Sequence, residues 1–324
     1  MLRKTFTILG KVWGLFLLPA VALALEGDAY QDMRTKSMVS ALAQVQPGYE
    51  FQSKNLPAAS SIEEQEFTQE SDSYFKYTPV ADAKEMSGKI GIMKAASEYK
   101  YTYKLFGKLP IKFSVGQKYI GIDNSTEVML PAHLVAVTTD IETTFPFFTA
   151  NNTYLRIGVS PSFYGDDWSL PSSGFRIPIR TYLIYMPNEQ WTYIFGVAVY
   201  SDFEKEVLPV LGFIYKPNDK LTFNIVPIRP NINYAINKKL SIFGEFGGAI
   251  DNEFEVSKGN LKNTILRYKG NYVGTGLQYD CNRYIRTSIS TGLAFNRLLK
   301  YEDEIGKVKI DNTVYLEFRA QIRI

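Results

Sequence analysis

Few side chains in this sequence could carry covalent or metal chemistry. His133 is the only histidine and Cys281 the only cysteine among 324 residues. A serine hydrolase needs a base beside its nucleophile. His133 sits in Leu130-Pro131-Ala132-His133-Leu134-Val135, with no flanking Ser or Asn to partner it, and reads as an ordinary strand histidine. A single Cys excludes an internal disulfide and a cysteine-rich zinc site. Asp166-Asp167 pairs two carboxylates, the raw material of an acid–base couple or a cation site, yet its setting reads as a solvated loop. Gly244-Glu245-Phe246-Gly247-Gly248 and Gly274-Thr275-Gly276 are glycine-rich but lead into no helix, so they do not cradle phosphate. Glycine there permits close packing or a bend. The expectation is a protein with no catalytic, metal or cofactor-binding residues, and not an enzyme.

The cations are the more informative set. Lys112, Arg156, Arg176, Arg180, Arg267, Lys269, Arg286, Arg319 and Arg323 stand among alternating polar positions, together with Lys100, Lys104 and Lys118. If those positions face an enclosed lumen, they line it with positive charge, which favours anions. The clear acids on the same faces are Glu245 and Glu317. The alternative is that these cations pair with Glu, Tyr and backbone inside a filled barrel. A net charge of +3 gives no reason to expect nucleic acid as a partner.

What the cations do depends on the elements that hold them. Residues 73–324 fall into segments of about ten with a period of two, which puts successive side chains on opposite faces of a strand. In the last segment Val314, Leu316, Phe318, Ala320 and Ile322 oppose Tyr315, Glu317, Arg319, Gln321 and Arg323. Leu155, Ile157 and Val159 oppose Arg156 and Gly158; Ile285, Thr287 and Ile289 oppose Arg286 and Ser288. Short connections rich in Asn, Asp and Pro, such as Pro187-Asn188-Glu189-Gln190, Pro217-Asn218-Asp219, Asn237-Lys238-Lys239 and Asp280-Cys281-Asn282-Arg283, tend to alternate with longer ones. An antiparallel meander whose two ends face different compartments has that rhythm.

The chain opens differently. Arg3, Lys4 and Lys11 precede an uncharged run, Val12 to Leu25, that contains Ala22-Leu23-Ala24. This predicts a signal peptide over 1–24. Residues 25–72 hold nine acids against three bases and little apolar periodicity. They predict a periplasmic acidic extension, disordered or acting as a plug. The barrel domain is expected over 73–324.

A soluble sandwich also alternates. Here the segments reach lengths that cross a hydrocarbon layer when tilted, and a closed ring satisfies every backbone hydrogen bond there. Tyr and Phe make up most of the 14% aromatic content and recur near segment ends, as interfacial girdles require. The expected fold is all-β, an antiparallel up-and-down transmembrane barrel of about 14 strands, with 12 as the alternative. A secreted or periplasmic soluble β-protein remains the competing class.

The strand Tyr315 to Ile324 and the repeated hairpins resemble Gram-negative outer-membrane β-barrel proteins. Tyr74-Phe75-Lys76-Tyr77-Thr78-Pro79, Gly212-Phe213-Ile214-Tyr215-Lys216-Pro217-Asn218 and Val226-Pro227 resemble an uncharacterised family of outer-membrane barrels. Such barrels commonly end in Phe or Trp, and this sequence ends in Ile324. The resemblance implies an outer-membrane location, with the lipid bilayer, lipopolysaccharide and the outer-membrane insertion machinery as partners. It implies no activity. The resulting expectation is a passive pore or structural envelope protein with a basic lumen. The alternative is a transporter for a hydrophobic or small anionic solute.

Overall fold

The computed structural model describes residues 67–106, 109–147, 151–168, 172–200, 207–227, 230–248, 252–257, 264–302 and 306–324. The expected signal peptide and nearly all of the acidic extension lie outside these residues.

One continuous sheet contains every strand of the described residues. β1 (Phe67–Lys84), β2 (Lys89–Leu105), β3 (Leu109–Asn124) and β4 (His133–Pro146) are long and unbroken in the chain. β5 (Thr153–Val159) continues as β6 (Ser162–Gly165), and β7 (Phe175–Arg176) as β8 (Ile179–Tyr185). β9 (Trp191–Val199), β10 (Val207–Tyr215), β11 (Leu221–Ile225) and β12 (Asn231–Ala235) are short. β13 (Leu240–Gly247) continues as β14 (Asn252–Val256). β15 (Thr264–Asp280) and β16 (Ile285–Tyr301) follow, and β17 (Lys307–Ile310) continues as β18 (Thr313–Arg323). Each interrupted pair runs along a shared neighbour, so the eighteen segments make fourteen staves. β1 pairs with β2 on one side and β18 on the other, which closes the ring. The fourteen-strand expectation holds, and the alternative of twelve does not.

The first stave begins at Phe67, six residues before the expected boundary at 73. Its start is polar, which made it read as extension. In the structure Glu70 lies between Lys100 and Arg323 in register, so cations on both neighbouring strands face its charge.

Alternation sets the two surfaces. Leu211, Leu277, Ile289, Leu316 and Phe113 are among the apolar side chains left exposed on the outer face. On the terminal-end side of β8 to β11, Trp191 stacks on Tyr193 and Tyr215, Tyr185 on Tyr193, and Tyr215 on Phe223. That row is an aromatic girdle at one rim. Among the described residues no helix is long and apolar enough to cross a membrane; the crossing elements are strands.

Four turns at the terminal end use one device. The side-chain oxygens of Asn188, Asn218, Asn237 and Asn282 each accept the backbone N–H groups two and three residues on, at 2.8–3.0 Å. Asparagine thus satisfies two backbone donors inside each turn.

The staves differ greatly in height. β2, β15 and β16 have 17 residues each, whereas β11 and β12 have five. That is roughly 55 Å of strand against roughly 17 Å. The tall staves therefore project beyond the apolar belt at the end away from the termini. There β14 meets β6 in a parallel bridge at Glu255 and Gly165. Ser257 donates its backbone N–H (3.2 Å) and hydroxyl (3.0 Å) to the Asp166 carboxylate. This clasp bypasses the short staves and closes the tall ones into a smaller second ring.

Candidate functional site: the barrel interior

The second ring is filled. Two inward residues from each of eight staves form one apolar cluster, among them Ile90 and Ile92 of β2, Ile120 and Ile122 of β3, Phe254 and Val256 of β14, and Leu299 and Tyr301 of β16. Tyr164 of β6 packs against it. Val128 and Leu130, from the connection after β3, cover it from above, and the Tyr301 hydroxyl donates to the Met129 carbonyl at 2.8 Å. The far end of the tall side is thus an apolar plug built from the barrel's own strands.

Beneath the plug lies a polar layer. Lys76 pairs with Glu317 at 2.9 Å, and its ammonium sits 3.3 Å from the centre of the Tyr272 ring. The Tyr315 hydroxyl donates to Glu245 at 3.0 Å, and Ser290 donates to the same oxygen at 2.9 Å. Gly274 makes room for this: a Cβ there would collide with the Tyr315 hydroxyl.

Toward the terminal end the interior carries ion pairs. Arg156 faces Glu142 at 3.6 Å and donates to Thr144 at 3.2 Å. Arg180 binds Asp140, which also accepts from Ser160. Arg286 binds Asp280, and Arg319 faces Asp72 at 3.5 Å. Lys100 pairs with Glu98 at 3.1 Å. Lys112 shares the inward face of Ser114, and Arg323 that of Gln321. Arg176, near the far rim, donates to the carbonyls of Ser173 and Phe175 at 2.6 and 2.9 Å.

The interior is therefore a lattice of opposite charges and not a uniformly basic lining. Of the acids that make it so, Asp72 was read as part of the extension and Asp280 as part of a turn, and Asp140 and Glu142 were not singled out. The alternation of Thr138, Asp140, Glu142 and Thr144 against Val137, Ile141 and Phe145 carried the signal for two of them.

Two candidates stand elsewhere. Arg267 and Lys269 share the face of Val273 and Leu277, opposite Leu266 and Tyr268, which enter the plug. They belong to the tall extension past the apolar belt, where an outward charge meets no lipid. Arg267 there bonds Glu253 at 3.0 Å and Glu302 at 2.9 Å. Placing them in the lumen assumed that every charge on a spanning strand turns inward, which holds only at the depth of the hydrocarbon.

A second apolar cluster lines the inner wall of the lower side. It includes Tyr154, Tyr182, Ile184, Ile194, Val210 and Val226. His133 stacks on Tyr119 at 5.7 Å on the outer face, and Cys281 is exposed in its turn. Asp166 differs from its reading as a solvated loop residue: it is 1% exposed and forms the clasp. Among the described residues no group of His, Cys, Asp and Glu could hold a metal ion.

No family model matches the chain, and no curated protein matches it. Solved structures do. An outer-membrane channel from Pseudomonas putida F1 matches with 9% identity and a TM-score of 0.42, covering 83% of this chain and 100% of that one. The NanC porin matches with 9% identity and a TM-score of 0.36, covering 78% and 98%. A deletion mutant of the TodX monoaromatic hydrocarbon channel matches with 8% identity and a TM-score of 0.35, covering 79% and 89%. At these levels no residue role passes from those proteins to this one. What the chain itself displays is a closed fourteen-stave barrel, greasy outside, with ion pairs and two apolar clusters within.

Proposed function

We propose that the protein is a non-enzymatic barrel of the Gram-negative outer membrane that acts as a narrow passive channel for small polar solutes. The supporting observation is the alternation around the ring, apolar residues outward and ion-paired residues inward. That arrangement suits a lipid exterior and a hydrated interior. The termini and the four asparagine turns face the periplasm, and the clasped end faces outward. Lipopolysaccharide and phospholipid cover the belt, and the outer-membrane insertion machinery places it there.

The plug fills the outer end on the tall side, and a buried apolar cluster packs the inside of β8 to β10. The same plug favours one other reading, a closed structural barrel of the envelope. Planar-bilayer recording of the purified full-length protein separates the two. Small stepwise conductance supports the channel, and a silent bilayer containing correctly folded protein supports the structural barrel. Recovery of the folded protein from the aqueous phase without detergent overturns both.

A further inference from the structure

Directly under the plug, Arg297 is 2% exposed. Its Nη1 donates to the Asp311 carbonyl at 3.2 Å. Its Nε and Nη2 have no hydrogen-bond acceptor among the described residues. The Tyr268 hydroxyl adjoins the guanidinium without satisfying either atom. Nε and Nη2 are the two parallel donors of one edge of the guanidinium, the edge that takes two oxygens of one anion side by side. Leaving that edge empty in a buried place is costly.

The surroundings repeat the demand. Lys94 lies over the Tyr268 ring at 4.2 Å, so Tyr268 is flanked by both cations. Lys94 is the register partner of Lys76, and Lys118 is its diagonal neighbour across β2 and β3. An acid near Lys94 is Glu317, which is bound to Lys76. Lys94 and Lys118 are half-buried residues on the inward faces of β2 and β3.

We propose that Arg297 and Lys94, with Lys118 and the Tyr268 hydroxyl beside them, form a binding site for a compact oxyanion group: phosphate, sulfate or carboxylate. The anion's two oxygens engage Nε and Nη2 of Arg297, and the lysine supplies the balancing charge. The site rests on the barrel reading and on an interior open to solvent; it does not require the barrel to conduct.

The test is calorimetric titration of the full-length protein in detergent with inorganic phosphate, sulfate and acetate, each in turn. Saturable binding of at least one is expected. Phosphate or sulfate alone identifies a tetrahedral anion, and acetate alone a carboxylate. Arg297→Met and Lys94→Met are expected to weaken it at least about tenfold, as the loss of a charged hydrogen-bonding partner does. Lys104→Gln, which removes a cation elsewhere in the lumen, leaves it unchanged. Folding of each variant is checked by heat-modifiable gel mobility, and Lys94→Met carries the test if Arg297→Met does not fold. No saturable binding by wild type, or equal binding by wild type and Lys94→Met, overturns the site. Neither result touches the conductance on which the channel reading stands.

Discussion

The carboxylate of Asp166 holds Ser257 by two hydrogen bonds, one from the backbone N–H and one from the hydroxyl, across 91 residues of sequence. These bonds tie β6 to β14 and turn a ring of fourteen staves into two rings of different circumference. Asp166→Ala removes both and leaves the Ser257 donors to find other partners. It is expected to cost about 1–3 kcal/mol and to increase single-channel conductance. Recording wild type and variant in the same bilayer checks this; equal conductance would show that the clasp does not restrict the outer end.

Leu299 is 1% exposed at the centre of the plug. Leu299→Ala leaves a void among strands that cannot collapse without breaking their ladder. The expected loss is about 2–5 kcal/mol, read as a lower unfolding temperature in detergent. Leu211→Ala, on the lipid face, serves as the comparison and is expected to change it much less.

Depth in the bilayer decides what a charge costs on the outer face. Leu316→Arg, on the outward side of β18, is expected to destabilise by about 2–4 kcal/mol at mid-depth. The check is folding yield into phospholipid vesicles. Ser288→Arg, on the inward side of the neighbouring strand, is expected to insert as well as wild type.

At the turn after β1, Lys309 bonds Glu85 at 2.7 Å and holds its carboxyl below the ordinary carboxylate range. A lowered folded-state value means that the pair stabilises the barrel above the unfolded carboxylate value, near 4.5. The contribution disappears as pH falls through the folded-state value. Unfolding temperatures of wild type and Glu85→Gln should therefore differ slightly at neutral pH and converge in acid. Both side chains are exposed, so the difference is expected to shrink in high salt. A constant difference from neutral to strongly acid pH would show that the ion pair is not its source.

The sheet was legible wherever one face of a strand meets lipid. On β18 the contrast of Val314, Leu316 and Phe318 with Glu317 and Arg319 is unambiguous, because acyl chains and an ionic interior demand opposite side chains. Legibility ended where the strands leave the bilayer. Asn296, with φ +50°, adds a residue to β16, and beyond it Arg297, Leu299 and Tyr301 point inward in place of the even-numbered positions. A polar residue between Phe295 and Arg297 gives no sequence sign of that shift. Arg267 and Lys269 were misplaced for a related reason: outside the hydrocarbon, alternation no longer sorts charge from grease. The clasp was out of reach altogether, since Asp166 and Ser257 are ordinary loop residues until the fold brings them together.

The four asparagine turns bear on how such a sheet comes to exist. Each hairpin can take shape from contacts within a dozen or so neighbouring residues, independently of the others. The β1–β18 seam, by contrast, must join the two extremes of the strand array and pay the full loop-closure entropy. Assembly should accordingly run hairpin by hairpin and finish at that seam, with the distant Asp166–Ser257 tie able to form only once the tall walls already stand.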